Sequence, residues 1–313
     1  MSQRFHPNNL SMDIPIKRTQ GRITIILNPI AGQRKKVNLP AMVRAANISG
    51  LEIEIVPTTM PNHATELAQE AMAKGSTLII AAGGDGTINE VAQALMGTNV
   101  ALGIIPLGSG NGLARHLRIP LNPTEALHLA LNSPSTAVDV AMLNGTPYLC
   151  TAGVGYDAEV AQTFAQIAAK HGRGFLNYLL AGWKAYNRFR PEHYLVTIDG
   201  QQMELDAFSI TVANASQFGN DAIISRTASL TDGLLDVCII KPFPWLKGAE
   251  MTFRLFGGQL EQSPLYHRVR AKEVSIKRTK QGWLHFDGEP HLMPPHLSFN
   301  IQPGCMLLVG KQY

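Results

Sequence analysis

Cysteine is scarce: three residues in 313, Cys150, Cys238 and Cys305, odd in number and far apart. That excludes a disulfide-stapled scaffold and gives no zinc-like spacing, so reduced core thiols in a cytoplasmic protein are expected. Charge is thin as well, 16% Asp, Glu, Lys and Arg with a net formal charge of +4. So mild an excess provides no general nucleic-acid surface. No apolar run approaches the roughly 20 residues of a membrane span, and residues 1–20 lack the apolar core of a signal peptide, so they are expected to form an N-terminal arm. Internal repeats and low-complexity tracts are missing too. One absence is local: between Val160 and Pro191 there is no Asp or Glu, yet Lys170, Arg173, Lys184, Arg188 and Arg190 all lie there.

What is present is globular, 45% hydrophobic with a mean hydropathy of +0.01. Strand-like runs over 22–27, 51–56, 78–82 and 100–105 alternate with helical spacing over 41–47, 64–73 and 88–96, and a further helix begins near Gly112. Such alternation predicts βαβ units on a parallel sheet, an α/β domain over 21–136. From about residue 137 the pattern turns to strands joined by Asn144-Gly145 and Asp199-Gly200, the strongest short hairpin signals. An antiparallel β-sandwich or barrel is expected over 137–302, with helices over 158–188 and 245–260.

Chemistry concentrates at the strand ends of the first domain. NPIAG at 28–32, the turn from Thr58 to His63, GGDGT at 83–87 and PLGSGNGLA at 106–114 all follow strands, where ligands bind in open α/β sheets. Glycine lets backbone N–H groups approach an anion, and a following helix N-terminus adds its positive dipole end. Asp85 among such turns reads in two ways, as a helix cap or as the holder of a cation between phosphates. Neither common nucleotide fingerprint fits these turns. Gly153 to Ala158, GVGYDA, matches G-x-G-x-x-A, but no acidic ribose ligand follows, so that match is read as accidental.

Taken in order, NPIAG, the Thr58 turn, GGDGTINEV, PLGSGNGLARHL, AGVGYDAEV, SLTDGLLDV and FDGE resemble the diacylglycerol kinase catalytic-domain family, which includes bacterial lipid kinases and sphingosine kinases. The resemblance runs from about Ile23 to Glu289. It implies a phosphofructokinase- or NAD-kinase-like α/β domain, a β-sandwich domain, a C-terminal return of 303–313 to the first domain, and ATP meeting a lipid headgroup between the two. It further implies that Asn28, Gly32, Thr58, Gly84, Gly86, Thr87, Ser109 and Asn111 line the nucleotide, with Asp287 nearby. Asp85 would hold Mg2+, either Asp85 or Glu289 would be the base, and Asp232 would belong to a second, structural magnesium site. One departure stands out: Ser225-Arg226 replaces an Ala-Pro element ahead of LTDG.

The expected activity is ATP-dependent phosphorylation of a hydroxyl on a membrane lipid, diacylglycerol or sphingosine-like, by a cytoplasmic protein held peripherally at an anionic membrane; the oligomeric state, a homodimer included, stays open. Two alternatives remain, a kinase of a soluble alcohol resembling NAD kinase and a non-catalytic lipid-binding regulator. The acid-free segment 160–191 favours the membrane. Within it, Phe175, Leu176, Leu179, Leu180, Trp183 and Tyr186 have helical spacing and are expected to face a core or a lipid pocket.

Overall fold

The computed structural model describes residues 21–31, 37–46, 50–172 and 174–310. These fall into two compact units, Met1–Asp139 with Pro303–Tyr313, and Val140–Gln302. The arm at 1–20, Gly32, Arg173 and 311–313 lie outside the described residues.

The first unit runs β1 (Gly21–Leu27), α1 (Leu39–Ala45), β2 (Leu51–Pro57), α2 (His63–Ala73), β3 (Ser76–Gly83), α3 (Asp85–Leu95), β4 (Ala101–Pro106), α4 (Gly112–His116), α5 (Pro123–Asn132) and the start of β5 (Ser135–Leu143). Its strands are parallel in the order β2-β1-β3-β4. The last strand of the chain adds in parallel beside β4, with Leu307 opposite Ala101. Ile23, Ile25, Ile26, Leu78, Ile79, Ile80, Leu102, Ile104 and Ile105 are all buried. Unbroken apolar runs of this kind suit strands covered on both faces. The helix expected from Gly112 is two helices, because Arg118 adopts a left-handed φ of 50° and Pro123 opens α5 behind an Asn122 cap that accepts from the Thr124 N–H at 2.9 Å.

The second unit continues with β6 (Thr146–Tyr148), β7 (Thr151–Gly155), α6 (Tyr156–His171), α7 (Phe175–Arg188), β8 (Glu192–Ile198), β9 (Gln201–Ala207), β10 (Ser209–Ala213), β11 (Leu235–Ile240), α8 (Gly248–Phe256), β12 (Tyr266–Ala271), β13 (Glu273–Arg278), β14 (Gly282–Phe286), β15 (Glu289–Met293) and β16 (His296–Val309). One antiparallel sheet has the order β12-β11-β10-β7-β14-β15. In the other, the first half of β16 pairs with β13, β13 with β8 and β8 with β9, all antiparallel. Tyr148, Val154, Tyr194, Val196, Val212, Val237, Ile276, Leu284 and Phe299 form one core drawn from both sheets. Alternation of inward apolar and outward polar residues makes this a β-sandwich. Asn144-Gly145 and Asp199-Gly200 make the expected hairpin turns, each with two successive positive φ angles.

One expectation is corrected. The stripe Leu176, Leu179, Leu180 and Trp183 does not face a core: Leu176 is 78% and Trp183 67% exposed. α7 is instead held through Tyr178, Ala181 and Ala185, which pack with Val160, Phe164 and Ile167 of α6. Small alanines let the two helices approach closely, so the bulky stripe is turned outward.

A buried cation closes the β14–β15 hairpin at its open end. Arg278, 6% exposed, donates from Nη1 to the Trp283 carbonyl at 2.7 Å and from Nη2 to the carbonyls of Gly282 and Met293 at 2.6 and 3.0 Å. Hydrogen bonds from a charged donor contribute more than neutral ones, and the carbonyls would lose their partners together. Arg278→Met should therefore lower unfolding stability by about 2–4 kcal/mol. Urea titration followed by tryptophan fluorescence measures it, and a midpoint unchanged from wild type would contradict this role.

Candidate active site

The carboxyl ends of β1, β2, β3 and β4 carry four turns that are tied together. The Asn28 N–H donates to the Ala82 carbonyl at 2.9 Å, the Leu107 N–H to that of Gly83 at 2.8 Å, and the Thr58 N–H to that of Leu27 at 2.8 Å, so the sheet ladder extends into the turns. Asn28 Nδ2 donates to Thr87 Oγ1 at 3.0 Å, joining NPIAG to GGDGT. Gly84 and Gly108 are in backbone contact: a Cβ on Gly108 would stand 2.6 Å from the Gly84 Cα and 2.8 Å from Asn111 Oδ1. Only glycine permits that approach.

Asp85 is the first residue of α3, at the positive end of its dipole. Its carboxyl also faces the start of α4, where the N–H groups of Asn111, Gly112 and Leu113 favour the ionised form. Burial outweighs them and pushes the Asp85 carboxyl above the usual carboxylate range. Asp85 Oδ1 is buried without a hydrogen-bond partner. So is Oδ1 of Asn111, a residue in left-handed conformation at φ 52° whose Nδ2 donates to the Gly108 carbonyl at 2.8 Å. Two buried oxygen acceptors lacking donors suit a hard cation such as Mg2+. Among the described residues no group of three His, Cys, Asp or Glu could hold a metal alone. A cation here would therefore share its remaining positions with phosphate oxygens and water, the usual condition of Mg2+. Gly84 and Thr58 are half-buried, Thr87 is buried, and Gly86 and Ser109 are exposed at the same turns.

In the second unit, Asp287 and Gly288 form the tip of the β14–β15 hairpin with φ of 47° and 81°. The Asp287 carboxylate accepts from the N–H groups of Leu149 and Cys150, both at 2.7 Å, and of Thr151 at 3.3 Å. It thus fixes the segment entering β7, a structural use that sequence reasoning missed. Glu289, half-buried, opens β15 opposite Phe286. A buried cluster also escaped notice: Thr211 Oγ1 donates to Asp157 Oδ2 at 2.7 Å, and His285 Nε2 lies 3.3 Å from the same oxygen. Gly153 makes room for it, since a Cβ there would fall 2.3 Å from Asp157 Oδ2. Gly153 of GVGYDA thus serves packing.

Asp232 lies in a turn beside an arginine. Its Oδ1 accepts from the Leu234 N–H at 3.1 Å, and Arg270 Nη1 lies 3.6 Å from Oδ2. Asp236, buried beside it, accepts from Ser225 Oγ at 2.5 Å and faces Arg268 Nη1 at 3.2 Å and Arg270 Nε at 3.5 Å. Two guanidinium groups supply the positive charge, and Ser225, the departure from the family pattern, completes the arrangement. The acid-free segment also changes character in three dimensions. Glu159 and Glu192 join Arg188, Arg190 and Lys280 around a cavity of about 440 Å3, where burial, with Glu192 nearby, pushes the Glu159 carboxyl above the usual carboxylate range against the opposing pull of Arg188.

Comparison with known proteins agrees with this architecture. The diacylglycerol kinase catalytic domain matches residues 22–143, and the YegS C-terminal NAD kinase beta sandwich-like domain matches 150–310. A Bacillus subtilis protein named diacylglycerol kinase is 31% identical, over 93% of this chain and 97% of its own. A Pseudomonas fluorescens protein named probable lipid kinase YegS-like is 30% identical, over 85% and 88% respectively. A Synechocystis protein is 31% identical, and the matched region spans 58% of its length. A solved structure described as a diacylglycerol kinase from Bacillus anthracis strain Sterne, 24% identical, shares the fold with a TM-score of 0.71 over 93% of this chain and 97% of that one. The chain belongs to the diacylglycerol kinase catalytic-domain family and is a phosphotransferase of the lipid kinase type.

Proposed function

We propose that the protein transfers the γ-phosphoryl group of ATP to a hydroxyl of a membrane lipid, diacylglycerol or sphingosine-like, in a magnesium-dependent reaction at an anionic membrane surface. The observation that carries this reading is Asp85, a buried carboxylate with an unpartnered oxygen where two glycine turns and two helix N-termini converge. The first-turn N–H groups of α3 and the turn at 108–111 would bind the phosphates, with Asn28, Thr58 and Thr87 around them. Mg2+ held at Asp85 would neutralise phosphate charge. The lipid oxygen bonds to the γ-phosphorus while the bond to the β-phosphate oxygen breaks, ADP leaves with that electron pair, and the hydroxyl proton passes to Asp85 or Glu289. A carboxylate of ordinary basicity suffices, because in a loose transition state the proton leaves late.

The direct test is incubation with labelled ATP, magnesium and a total lipid extract, followed by mass identification of the labelled product. Label only on a water-soluble alcohol would favour the alternative acceptor. Asp85→Asn should reduce transfer roughly a hundred- to thousandfold with the circular-dichroism spectrum retained; activity within tenfold of wild type would contradict the assignment.

Gly86 gives a cleaner probe of the phosphate turn. It is exposed in the first turn of α3, and a Cβ there meets nothing within 4 Å. Alanine should then leave the folded chain as stable or more stable, by up to about 1 kcal/mol. If phosphate approaches the backbone at this point, Gly86→Ala should weaken ATP binding about tenfold in calorimetry with no drop in melting temperature. Unchanged affinity would remove the cradle from this turn.

A further inference from the structure

The large apolar side chains left in solvent are not scattered. Leu176, Leu179, Leu180 and Trp183 recur at i, i+3, i+4 and i+7 along one face of α7. α8 is built likewise: Met251 and Leu255 pack into a core, while Phe253 is 72% exposed. The short 3-10 turn leading into α8 presents Trp245 and Leu246, 72% and 71% exposed. Phe175 at the start of α7 meets Phe256 at the end of α8 edge to face, with ring centroids 5.5 Å apart, so both exposed faces belong to one surface. A helix with Trp, Phe and Leu facing water and basic residues beside them has the make-up of an interfacial element.

Charge identifies the occupant. Lys184 and Lys247 lie on these segments, Lys170 and Lys241 are exposed in the chain just before them, none of the four makes an ion pair among the described residues, and no Asp or Glu occurs at 160–191 or 237–249. Glu250 of α8 is taken up by Arg254 at 2.8 Å. A second copy presenting the same face would oppose like charges, which is unfavourable. An anionic leaflet is complementary throughout, apolar within and negative at its surface. We infer that α7 and the 245–256 segment form a two-part insertion surface that seats Leu176, Trp183, Trp245, Leu246 and Phe253 in one leaflet of an anionic bilayer, with the lysines at the headgroup phosphates. This deepens the membrane reading of the proposed function and rests on it, since it presents the enzyme to a bilayer-borne acceptor.

The test uses the full chain with phosphatidylcholine vesicles, with or without phosphatidylglycerol. Tryptophan emission should shift to the blue and be quenched by brominated acyl chains when phosphatidylglycerol is present. Trp245→Ser with Phe253→Ser should weaken partition about tenfold or more, and Lys184→Glu with Lys247→Glu should remove the dependence on phosphatidylglycerol and on salt. Both double variants should unfold at the wild-type temperature and phosphorylate a dispersed short-chain lipid at the wild-type rate. Partition unchanged in both would overturn the inference, as would sedimentation showing a wild-type dimer that the Trp245→Ser, Phe253→Ser variant breaks. Vesicle binding needs no catalysis, so insertion without any labelled lipid product would refute the kinase reading and leave the surface standing.

Discussion

Contact between two glycine backbones sets the geometry at the carboxyl edge of the parallel sheet. Because neither Gly84 nor Gly108 has a side chain, the turn after β3 lies directly against the turn after β4, and α3 and α4 begin side by side. That closeness traps the Asp85 carboxyl between two sets of helix-start N–H groups and away from water. The cost appears as a raised proton affinity and an oxygen left without a donor, features that natural structures retain chiefly where a ligand completes them.

Fold class was legible because the sequence states its periods plainly. Leu78 to Ala82 is too uniformly apolar for anything but a strand covered on both faces, and Asn-Gly and Asp-Gly pairs mark hairpins by a requirement for positive φ that few other residues meet. Where reading failed, the missing information was three-dimensional. Helical spacing shows that Leu176, Leu179, Leu180 and Trp183 share a face but not which way it points; Ala181 and Ala185, small enough for α6 to approach, decided that. Asp287 looked like a turn residue beside a ligand, and its grip on three N–H groups some 136 to 138 positions earlier has no local signature. The turns at the first unit's strand ends were visible as motifs, whereas the Asn28 link to Thr87 and the unpartnered oxygens of Asp85 and Asn111 emerge only in three dimensions.

Around Asp232 and Asp236 negative charge is met by arginine. A guanidinium is planar and permanently charged, and it satisfies carboxylates through fixed N–H directions. Ser225 adds a hydroxyl donor to Asp236. Ser225 and the arginines of β12 thus meet on the same carboxylate.

β16 bears on how the molecule is made. Its first half completes a sheet of the second unit, while Leu307 and Leu308 pair with Ala101 and Leu102 of β4 and the Cys305 carbonyl accepts from the Gly97 N–H at 2.7 Å. The first unit is thus discontinuous in the chain, and the second is an uninterrupted insertion. During synthesis from the N-terminus, β4 emerges some two hundred residues before the strand that covers its edge. A nascent chain must hold that apolar edge open until β16 has been made, so the first unit cannot be completed before the strand that also closes a sheet of the second.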